Sequence, residues 1–252
     1  MAPVLEARGI TRSFGHIEAL KGVDFDIDAG EVVALIGDNG AGKSTLVKIM
    51  SGADRPTSGH LLSNGAPLEL DGPVQARSIG IETVYQDLAL APHLSAVDNM
   101  FLGREIMRPG ILGALGMMQR GAMQEKSRTE FAELGATVSD LHSAVVNMSG
   151  GQRQSIAVAR AAAWAQQVIF LDEPTAALGV VQTQNVLELI RRVRDRGVAV
   201  VLISHSMPHV LAVADRVQVL RQGRRVATYD AKRTTMEELV GAMTGAISQE
   251  TP

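Results

Sequence analysis

The chain has 252 residues, of which 46% are hydrophobic, so it can bury a sizeable core without a disulfide or structural metal. Its formal net charge of −3 argues against a general binder of nucleic acid or other polyanions. It contains no cysteine, which excludes a disulfide framework and thiolate catalysis.

The first third of the chain has the pattern of β-strands. Apolar residues alternate with aspartates over residues 23–28, as in a half-buried strand. The run Glu31–Ile36 is apolar and rich in β-branched residues, which is typical of a fully buried strand. A further strand is predicted over Ile79–Val84.

The middle and last thirds differ in pattern. Helix formers dominate from about residue 88 to 163, which predicts a helical insert, and residues 110–116 are expected to be a loop because they contain three glycines. Further on, predicted strands alternate with predicted helices, which favours a parallel sheet with right-handed crossovers. These strands are 168–171, 198–203 and 216–220, and the helices are 181–196 and 207–214.

The strongest motif is GDNGAGKST at residues 37–45, which fits the phosphate-binding pattern G-x-x-x-x-G-K-[ST]. A buried strand precedes it and a helix is predicted from Leu46 to Met50, so backbone N–H groups and the helix start would point at phosphate oxygens. Lys43 supplies a mobile charge for the β- and γ-phosphates, and Ser44 a hydroxyl for Mg²⁺. The residues assigned here to ATP are Gly37, Asn39, Gly40, Gly42, Lys43, Ser44 and Thr45. The alternative is a plain glycine turn.

Two acidic residues follow the predicted strand in VIFLDEP, residues 168–174. Ligands of open α/β sheets bind beyond the carboxyl ends of the strands. Asp172 is therefore a candidate to hold Mg²⁺, and Glu173 a candidate general base for the attacking water. The alternative is a pair of solvated acids at a strand end.

A second glycine-rich segment, NMSGGQRQ at residues 147–154, opens a predicted helix over Ile156–Ala163. A hydroxyl and two glycines at a helix start can form another phosphate nest. An ordinary helix cap explains Ser149 equally well. The residues assigned to this nest are Ser149, Gly150, Gly151 and Gln152.

The order of GDNGAGKST, VYQD, MSGGQ, VIFLDEPTAAL and ISHS resembles the ATPase subunits of ABC transporters, over roughly residues 4–229. The resemblance implies three further assignments. Phe14 matches the aromatic that stacks on adenine, Gln86 the glutamine that senses Mg²⁺ and water, and His205 the switch histidine near the γ-phosphate. A core phenylalanine, a surface amide and a structural histidine are the respective alternatives.

One position departs from the family pattern, because Gly179 stands where many members have an aspartate that couples two subunits. This replacement, together with residues 84–95 and 99–104, resembles the importers of ribose, xylose and fructose type. The methionines at 107, 117, 118 and 123 could form an adaptable partner surface or fill the core, and filling is favoured.

The resemblance implies an α/β fold of the P-loop NTPase type with a RecA-like core, an N-terminal antiparallel β subdomain and a helical insert. We expect one ABC ATPase domain over 1–252, with the insert at about 88–163 and a C-terminal tail at about 230–252. The implied function is MgATP hydrolysis coupled to import of a monosaccharide such as fructose or ribose. An exporter ATPase, a non-transport ABC ATPase and a nucleotide-binding regulator without turnover are the alternatives.

The implied partners are a second copy of the chain, membrane permease subunits and, through them, a solute-binding protein, with no nucleic acid. The sequence shows neither a secretory signal nor a run of about 18 uncharged apolar residues, so we expect no membrane span. The expected location is peripheral, on the cytoplasmic face of the inner membrane. The solute itself cannot be read from this chain.

Overall fold

The computed structural model describes residues 2–136, 138 and 140–246. By internal contacts the chain divides into two compact units. The first contains the described residues of Met1–Gln86, Trp164–Pro174 and Ile190–Pro252. The second contains those of Asp87–Ala163 and Thr175–Leu189.

In chain order, the strands are β1 (Leu5–Phe14), β2 (Ile17–Ile27), β3 (Val32–Ile36), β4 (Ser58–Ser63), β5 (Ala66–Leu68), β6 (Ile81–Val84), β7 (Val168–Asp172), β8 (Ala199–Ile203), β9 (Arg216–Arg221) and β10 (Arg224–Asp230). The α-helices are α1 (Lys43–Met50), α2 (Pro73–Ser78), α3 (Ala96–Met100), α4 (Ile111–Ala114), α5 (Arg120–Leu134), α6 (Gly150–Trp164), α7 (Val180–Asp195), α8 (Met207–Val213) and α9 (Met236–Thr244). A short 3₁₀ turn covers Val145–Asn147.

The first unit contains two sheets. An antiparallel sheet has the strand order β2-β1-β4-β5, and a mixed sheet has the order β10-β9-β3-β8-β7-β6. In the mixed sheet every neighbouring pair is parallel except β9–β10, which is antiparallel. One hydrophobic core joins side chains of both sheets and of α1, among them Phe25, Leu46 and Phe170. This is the α/β arrangement that the sequence predicts.

The central strands β3, β7 and β8 are apolar because both faces of the mixed sheet are covered. Every residue of β3 and β8, and the first four of β7, is buried. An edge or half-exposed strand would instead show an alternating pattern. The short apolar runs therefore fix which strands lie in the middle of the sheet, and with them the position of the residues that follow.

The second unit is built around α3, α5 and α6. Its buried apolar side chains include Phe101, Phe131 and Ile156. The fully buried Asn99 ties the preceding turn to α3, because its Oδ1 accepts from the Ala91 N–H at 2.8 Å and its Nδ2 donates to the Ala91 carbonyl at 3.0 Å. The last residue of α6, Trp164, is the single tryptophan of the sequence; it is half-buried and belongs to the first unit.

Several expectations need correction. Residues 110–116 are not an uninterrupted loop, since α4 occupies Ile111–Ala114. The C-terminal segment contains α9, which begins with a capping box between Thr235 and Glu238 and is therefore more than a tail. The end of that segment, 247–252, lies outside the described residues. The helix expected from Leu46 already begins at Lys43, and the one expected from Ile156 already begins at Gly150.

The methionines divide between the two interpretations. Met123 is buried in the second unit, whereas Met107 and Met117 are exposed. In the described part of the chain, no helix is both long enough and apolar enough to cross a bilayer.

Candidate functional site

The site in the first unit lies at the carboxyl ends of three adjacent parallel strands. β8 pairs with β3 on one side and with β7 on the other, so that Leu35 and Asp172 both lie opposite Ile203. The phosphate-loop motif follows β3 directly, Asp172 ends β7, and His205 comes two residues after β8. Parallel pairing therefore brings three separate sequence motifs to one edge, where ligands of such sheets bind.

Three glycines of the phosphate loop have backbone conformations that other residues rarely adopt, with φ of 152° at Gly37, 81° at Gly40 and 105° at Gly42. At Gly37 and Gly42 a side chain would also lack space. A Cβ at Gly37 would contact the carbonyl oxygen of Leu220, and one at Gly42 would lie 2.7 Å from Leu20 Cδ2. Both positions therefore require glycine, and the loop closes tightly onto neighbouring strands. At the same time Asn39 and Gly40 are exposed at the tip.

Lys43 is the first residue of α1, and its side chain turns back over this loop. Its Nζ donates to the carbonyl oxygens of Gly37 at 2.6 Å and Asp38 at 3.0 Å. Burial lowers the pKa of Lys43, although the nearby carboxylates of Glu173 and Asp172 oppose that shift. The ammonium group is thus held at the loop, beside the two acids. Ser44 next to it is exposed and Thr45 is half-buried.

The two acids at the end of β7, Asp172 and Glu173, are in an environment that disfavours their charge. Burial raises the pKa of Asp172, with Lys43 acting in the opposite direction. Burial also raises the pKa of Glu173, and the charge of His205 opposes the shift. Glu173 has φ 49°, which is uncommon outside glycine, and its N–H is held by the Ile203 carbonyl at 2.9 Å.

His205 lies next to Glu173. Its Nε2 is 3.4 Å from Oε1 of Glu173, and the imidazole is about half exposed while the carboxylate is largely buried. Oε1 is buried and, apart from this contact with His205, has no hydrogen-bond partner among the described residues. A buried carboxylate oxygen that makes no hydrogen bond is costly, so it is suited to accept one from a water or a ligand.

Phe14 ends β1 in the antiparallel sheet. Its ring is 50% exposed, so it is not a core residue. The guanidinium carbon of Arg12 lies 4.6 Å from the ring centroid, and Arg12 is itself held by a bidentate pair with Asp54 at 2.9 and 2.7 Å. The ring is therefore fixed in orientation while much of it remains open, as an aromatic platform for a base requires.

The glycine-rich segment of the second unit forms a capped helix start. The Gln152 N–H donates to Oγ of Ser149 at 3.2 Å, and the Ser149 N–H donates to Oε1 of Gln152 at 3.0 Å. This reciprocal pair is a capping box. Ser149 and Gly150 are exposed, whereas Gly151 is buried. The structure thus realises the cap that the sequence left open as an alternative, and it leaves the exposed face of the turn available to an anion.

Gln86 follows β6 and is exposed. The segment after it has an unusual backbone, because Leu88 and Ala89 have φ of 62° and 45°. Arg160 of α6 donates to both of their carbonyl oxygens, at 2.9 Å for Leu88 and 2.8 Å for Ala89. A left-handed conformation at two successive non-glycine residues costs free energy, which these charge-assisted hydrogen bonds offset.

Sequence reasoning did not identify Arg160 or Asn99. Both are polar residues that hold loops of the second unit by hydrogen bonds to backbone carbonyls. A signal for Arg160 was present, because it is the only charged residue in the run IAVARAAAW. Such a residue inside an apolar helix needs a partner, but the sequence does not indicate which one.

Among the described residues, no three His, Cys, Asp or Glu side chains form a group that could hold a metal ion. The acids at the end of β7 nevertheless fit a hard cation, since Asp172 is half-buried and oxygen is the donor that Mg²⁺ prefers. Mg²⁺ usually takes one or two protein oxygens together with phosphates and water. The residues present therefore suit Mg²⁺ that arrives with a nucleotide.

Comparison with known proteins identifies the family. The family model described as ABC transporter matches residues 20–176. The fructose import ATP-binding protein FrcA of Rhizobium meliloti is 52% identical over 246 residues, which cover 97% of this chain and 95% of that protein. The xylose/arabinose import ATP-binding protein XylG of Sulfolobus acidocaldarius is 44% identical, with 97% and 95% covered. A ribose import ATP-binding protein RbsA of Yersinia pestis is 42% identical, and the chain spans 46% of its length.

Solved structures agree with this. The ATP-binding cassette MJ0796, in a dimeric post-hydrolysis state with ADP and Pi, superimposes with a TM-score of 0.75 at 25% identity, covering 91% of this chain and all of that one. The protein cbiO1 of Clostridium perfringens, part of the ABC transporter complex cbiONQ, gives a TM-score of 0.78 at 25% identity, with 95% and 93% covered.

Proposed function

Because this chain belongs to the ABC transporter family, we propose that it is the ATP-hydrolysing subunit that powers import of a monosaccharide, of fructose or ribose type. The observation that carries the proposal is the 52% identity to a fructose import ATP-binding protein, extending over nearly the whole of both chains. Within the family the ATP-binding cassette is the subunit that hydrolyses ATP.

The proposed roles of the site residues follow from their surroundings. The loop 37–45 binds the phosphates, with Lys43 exchanging its two carbonyl contacts for phosphate oxygens. Glu173 accepts a proton from the attacking water at its buried Oε1, which makes no hydrogen bond within the described part of the chain, and His205, 3.4 Å from that oxygen, stabilises the charge near the reacting phosphate. The open ring of Phe14 stacks on the adenine.

Mg²⁺ would be held by Ser44, Gln86 and Asp172 together with phosphate oxygens. When bound, the ion neutralises charge that develops on the phosphates. The hydroxyl of Ser44 and the amide of Gln86 are exposed, so both can reach a ligand, and the half-buried Asp172 adds negative charge. The pKa of Asp172, raised by burial, would fall once a cation lies beside it.

We further propose that two copies of the chain share each ATP. Ser149, Gly150, Gly151 and Gln152 of one copy would close on the nucleotide that the loop 37–45 of the other copy holds. The exposed Ser149 and Gly150 at the start of a capped fifteen-residue helix support this, because the first N–H groups of such a helix attract anions. ATP would close the pair, and hydrolysis would reopen it.

The permease subunits would dock on the second unit, at the segment 106–119, which we call the apolar hairpin. Its two arms pair through Arg108 N–H to the Met117 carbonyl at 2.8 Å and Gln119 N–H to the Ile106 carbonyl at 2.7 Å. At its tip, Ile111 is 80% and Leu115 is 73% exposed. A cluster of exposed apolar side chains in a soluble domain indicates a protein-binding surface. In this arrangement the chain is peripheral, on the cytoplasmic face of the membrane, and a solute-binding protein acts through the permease.

Trapping the closed pair tests the shared site. Glu173→Gln keeps the size of the side chain but removes the base, so ATP should bind without being hydrolysed and a dimer should accumulate. Light scattering with ATP and Mg²⁺ measures its mass. Adding Ser149→Arg should return the protein to a monomer, because a bulky cation would displace the small hydroxyl. A Glu173→Gln protein that stays monomeric at high concentration and with its permease would count against the shared site.

Complementation tests the sugar. Expressed in Rhizobium meliloti lacking its own fructose import ATP-binding protein, the wild-type chain should restore uptake of labelled fructose. Lys43→Ala should not restore it, and serves as the matched control for expression. A chain that hydrolyses ATP in vitro yet gives no fructose uptake would refute the fructose assignment while leaving the ATPase proposal intact.

A further inference from the structure

Gly151 and Gly179 share one neighbour. A Cβ added to Gly151 would lie 2.5 Å from Cγ and 2.8 Å from Cβ of Gln182. A Cβ added to Gly179 would lie 2.6 Å from Oε1 of the same side chain. All three residues belong to the second unit, where Gln182 lies in the first turn of α7 and Gly151 in the first turn of α6.

The contacts with Gln182 explain why glycine occupies both position 151 and position 179. Neither Gly151 nor Gly179 has a positive φ, so the backbone does not demand glycine at either position. Glycine inside a helix costs about 1 kcal/mol relative to alanine. The space that a side chain would need is already filled, at Gly151 by the aliphatic part of Gln182 and at Gly179 by its amide oxygen. The two helix starts are thus packed through one residue.

A second contact joins the same two segments of the chain. Cδ2 of Leu178 lies 3.9 Å from where a Cβ of Gly150 would be. The Thr183 N–H donates to the Gly179 carbonyl at 2.9 Å, so Gly179 caps α7 through its backbone. Residues 178–182 therefore run along the helix start at 150–151, and the position of Gly151 depends on them.

We propose that Gln182 is a positioning residue for the ATP site shared between two copies. Its aliphatic part fixes the turn at Ser149–Gly151, and its amide fills the space that a side chain at position 179 would occupy. This rests on the proposed function, because the turn must meet the partner's nucleotide for its position to matter. This role explains how the chain manages with Gly179 where many family members have an aspartate. Gln182, three residues further along in the first turn of α7, supplies the polar group instead. Gln182 is exposed, so it can act at a surface between copies.

The test compares variants in the Glu173→Gln background by the concentration dependence of ATP-induced dimer formation. Gln182→Ala should raise the dimer dissociation constant about tenfold, the order expected for loss of one coupling contact. Gln182→Met, which keeps the aliphatic packing on Gly151, should recover most of that loss. Gln184→Ala, an exposed glutamine of the same helix, is the matched control and should change nothing.

Two further readouts separate positioning from a general structural effect. Calorimetric affinity of the monomeric chain for ADP, which needs only the loop 37–45, should be the same in all variants. The melting temperature should also stay nearly unchanged, as for other exposed substitutions. If Gln182→Ala lowers ADP affinity or the melting temperature as much as it weakens the dimer, the residue is structural and the proposal is wrong.

A double-mutant cycle with Gly179→Asp provides the decisive result. In the Gln182→Ala background, Gly179→Asp should restore dimer formation, since the freed space admits a polar side chain. With Gln182 present, the aspartate must displace the amide and should give no gain. Additive effects of the two substitutions overturn the inference. If the Glu173→Gln parent itself forms no dimer, the shared site fails instead, and the inference falls with it.

Discussion

The carbonyls of Gly37 and Asp38 accept hydrogen bonds from Lys43, which hold its side chain at the loop. Removing its charge should strip the proposed site of its main attraction for the β- and γ-phosphates. We predict that Lys43→Ala abolishes MgATP hydrolysis and most ATP affinity. Lys48→Ala, exposed on the same helix, is the control and should keep both. Equal turnover in Lys43→Ala and wild type would show that the phosphate site is misassigned.

Phe14 presents an aromatic face that makes no distinction between phosphate states. Stacking on a base contributes about 1–3 kcal/mol, so Phe14→Ala should weaken ATP and ADP binding alike, roughly tenfold or more. The rate at saturating ATP should change little. Val74→Ala, another exposed apolar substitution, is the control for loss of surface area. Unaltered affinity together with lost turnover in Phe14→Ala would contradict the stacking role.

The raised pKa of Glu173 makes the free energy of unfolding depend on pH. Burial raises its folded-state pKa above the ordinary 4.5. Between these two values the folded chain keeps a proton that the unfolded chain has released, so stability falls as pH rises through that window. Glu173→Gln lacks this loss, and its melting temperature should exceed the wild-type value at pH 7 but converge with it near pH 4.

For a chain of this size, each kcal/mol gained in the free energy of unfolding raises the melting temperature by about 2–4 °C. Glu18→Gln, which removes an exposed carboxylate, controls for the change in net charge. A Glu173→Gln gain that is constant from pH 4 to pH 8 would mean that burial of the charge is not its cause.

At the scale of elements, α4 shows how a short helix can present a surface rather than stabilise a core. Ile111 and Leu115 are exposed, and no residue of α4 is buried. Ile111→Ser with Leu115→Ser should therefore leave the melting temperature nearly unchanged. The same pair should prevent the permease from stimulating ATP hydrolysis, measured as activity against added permease. Val74→Ser is the matched control, and retained stimulation in the double variant would exclude the apolar hairpin as the docking surface.

The sequence predicted the central elements better than the peripheral ones, for physical reasons. β3, β7 and β8 are continuous apolar runs because both of their faces are buried, and a run of that kind is recognisable alone. β1 carries charged and polar residues and is held in place by pairing with β2 and β4, which no local pattern indicates. In α4 the glycines suggested a loop, and only the local hydrogen bonds from the Ala114 N–H to the Gly110 carbonyl and from the Leu115 N–H to the Ile111 carbonyl show a helical turn.

The same division applies to the candidate site. Motif spacing predicts the phosphate loop, and parallel pairing explains why Asp172 and His205 lie at the same edge of the sheet as that motif. The contacts of Arg160 and of Gln182 could not be predicted, because each joins residues far apart in sequence through side-chain geometry.

At the scale of the whole molecule, the α/β fold was predicted correctly, since five motifs in one order restrict the chain to one family. The division into two units follows from long-range contacts that the motifs do not encode.

The single tryptophan gives the whole molecule a built-in optical reporter. Trp164 closes α6, the helix that begins at Gly150, so about 22 Å of helix separates the indole from the capped turn at 1.5 Å per residue. Indole emission in this chain has one source. A change of intensity or wavelength when ATP is added can therefore be assigned to the far end of that helix without any attached dye. The kinetics of the proposed closure become measurable by stopped-flow mixing on the unlabelled protein.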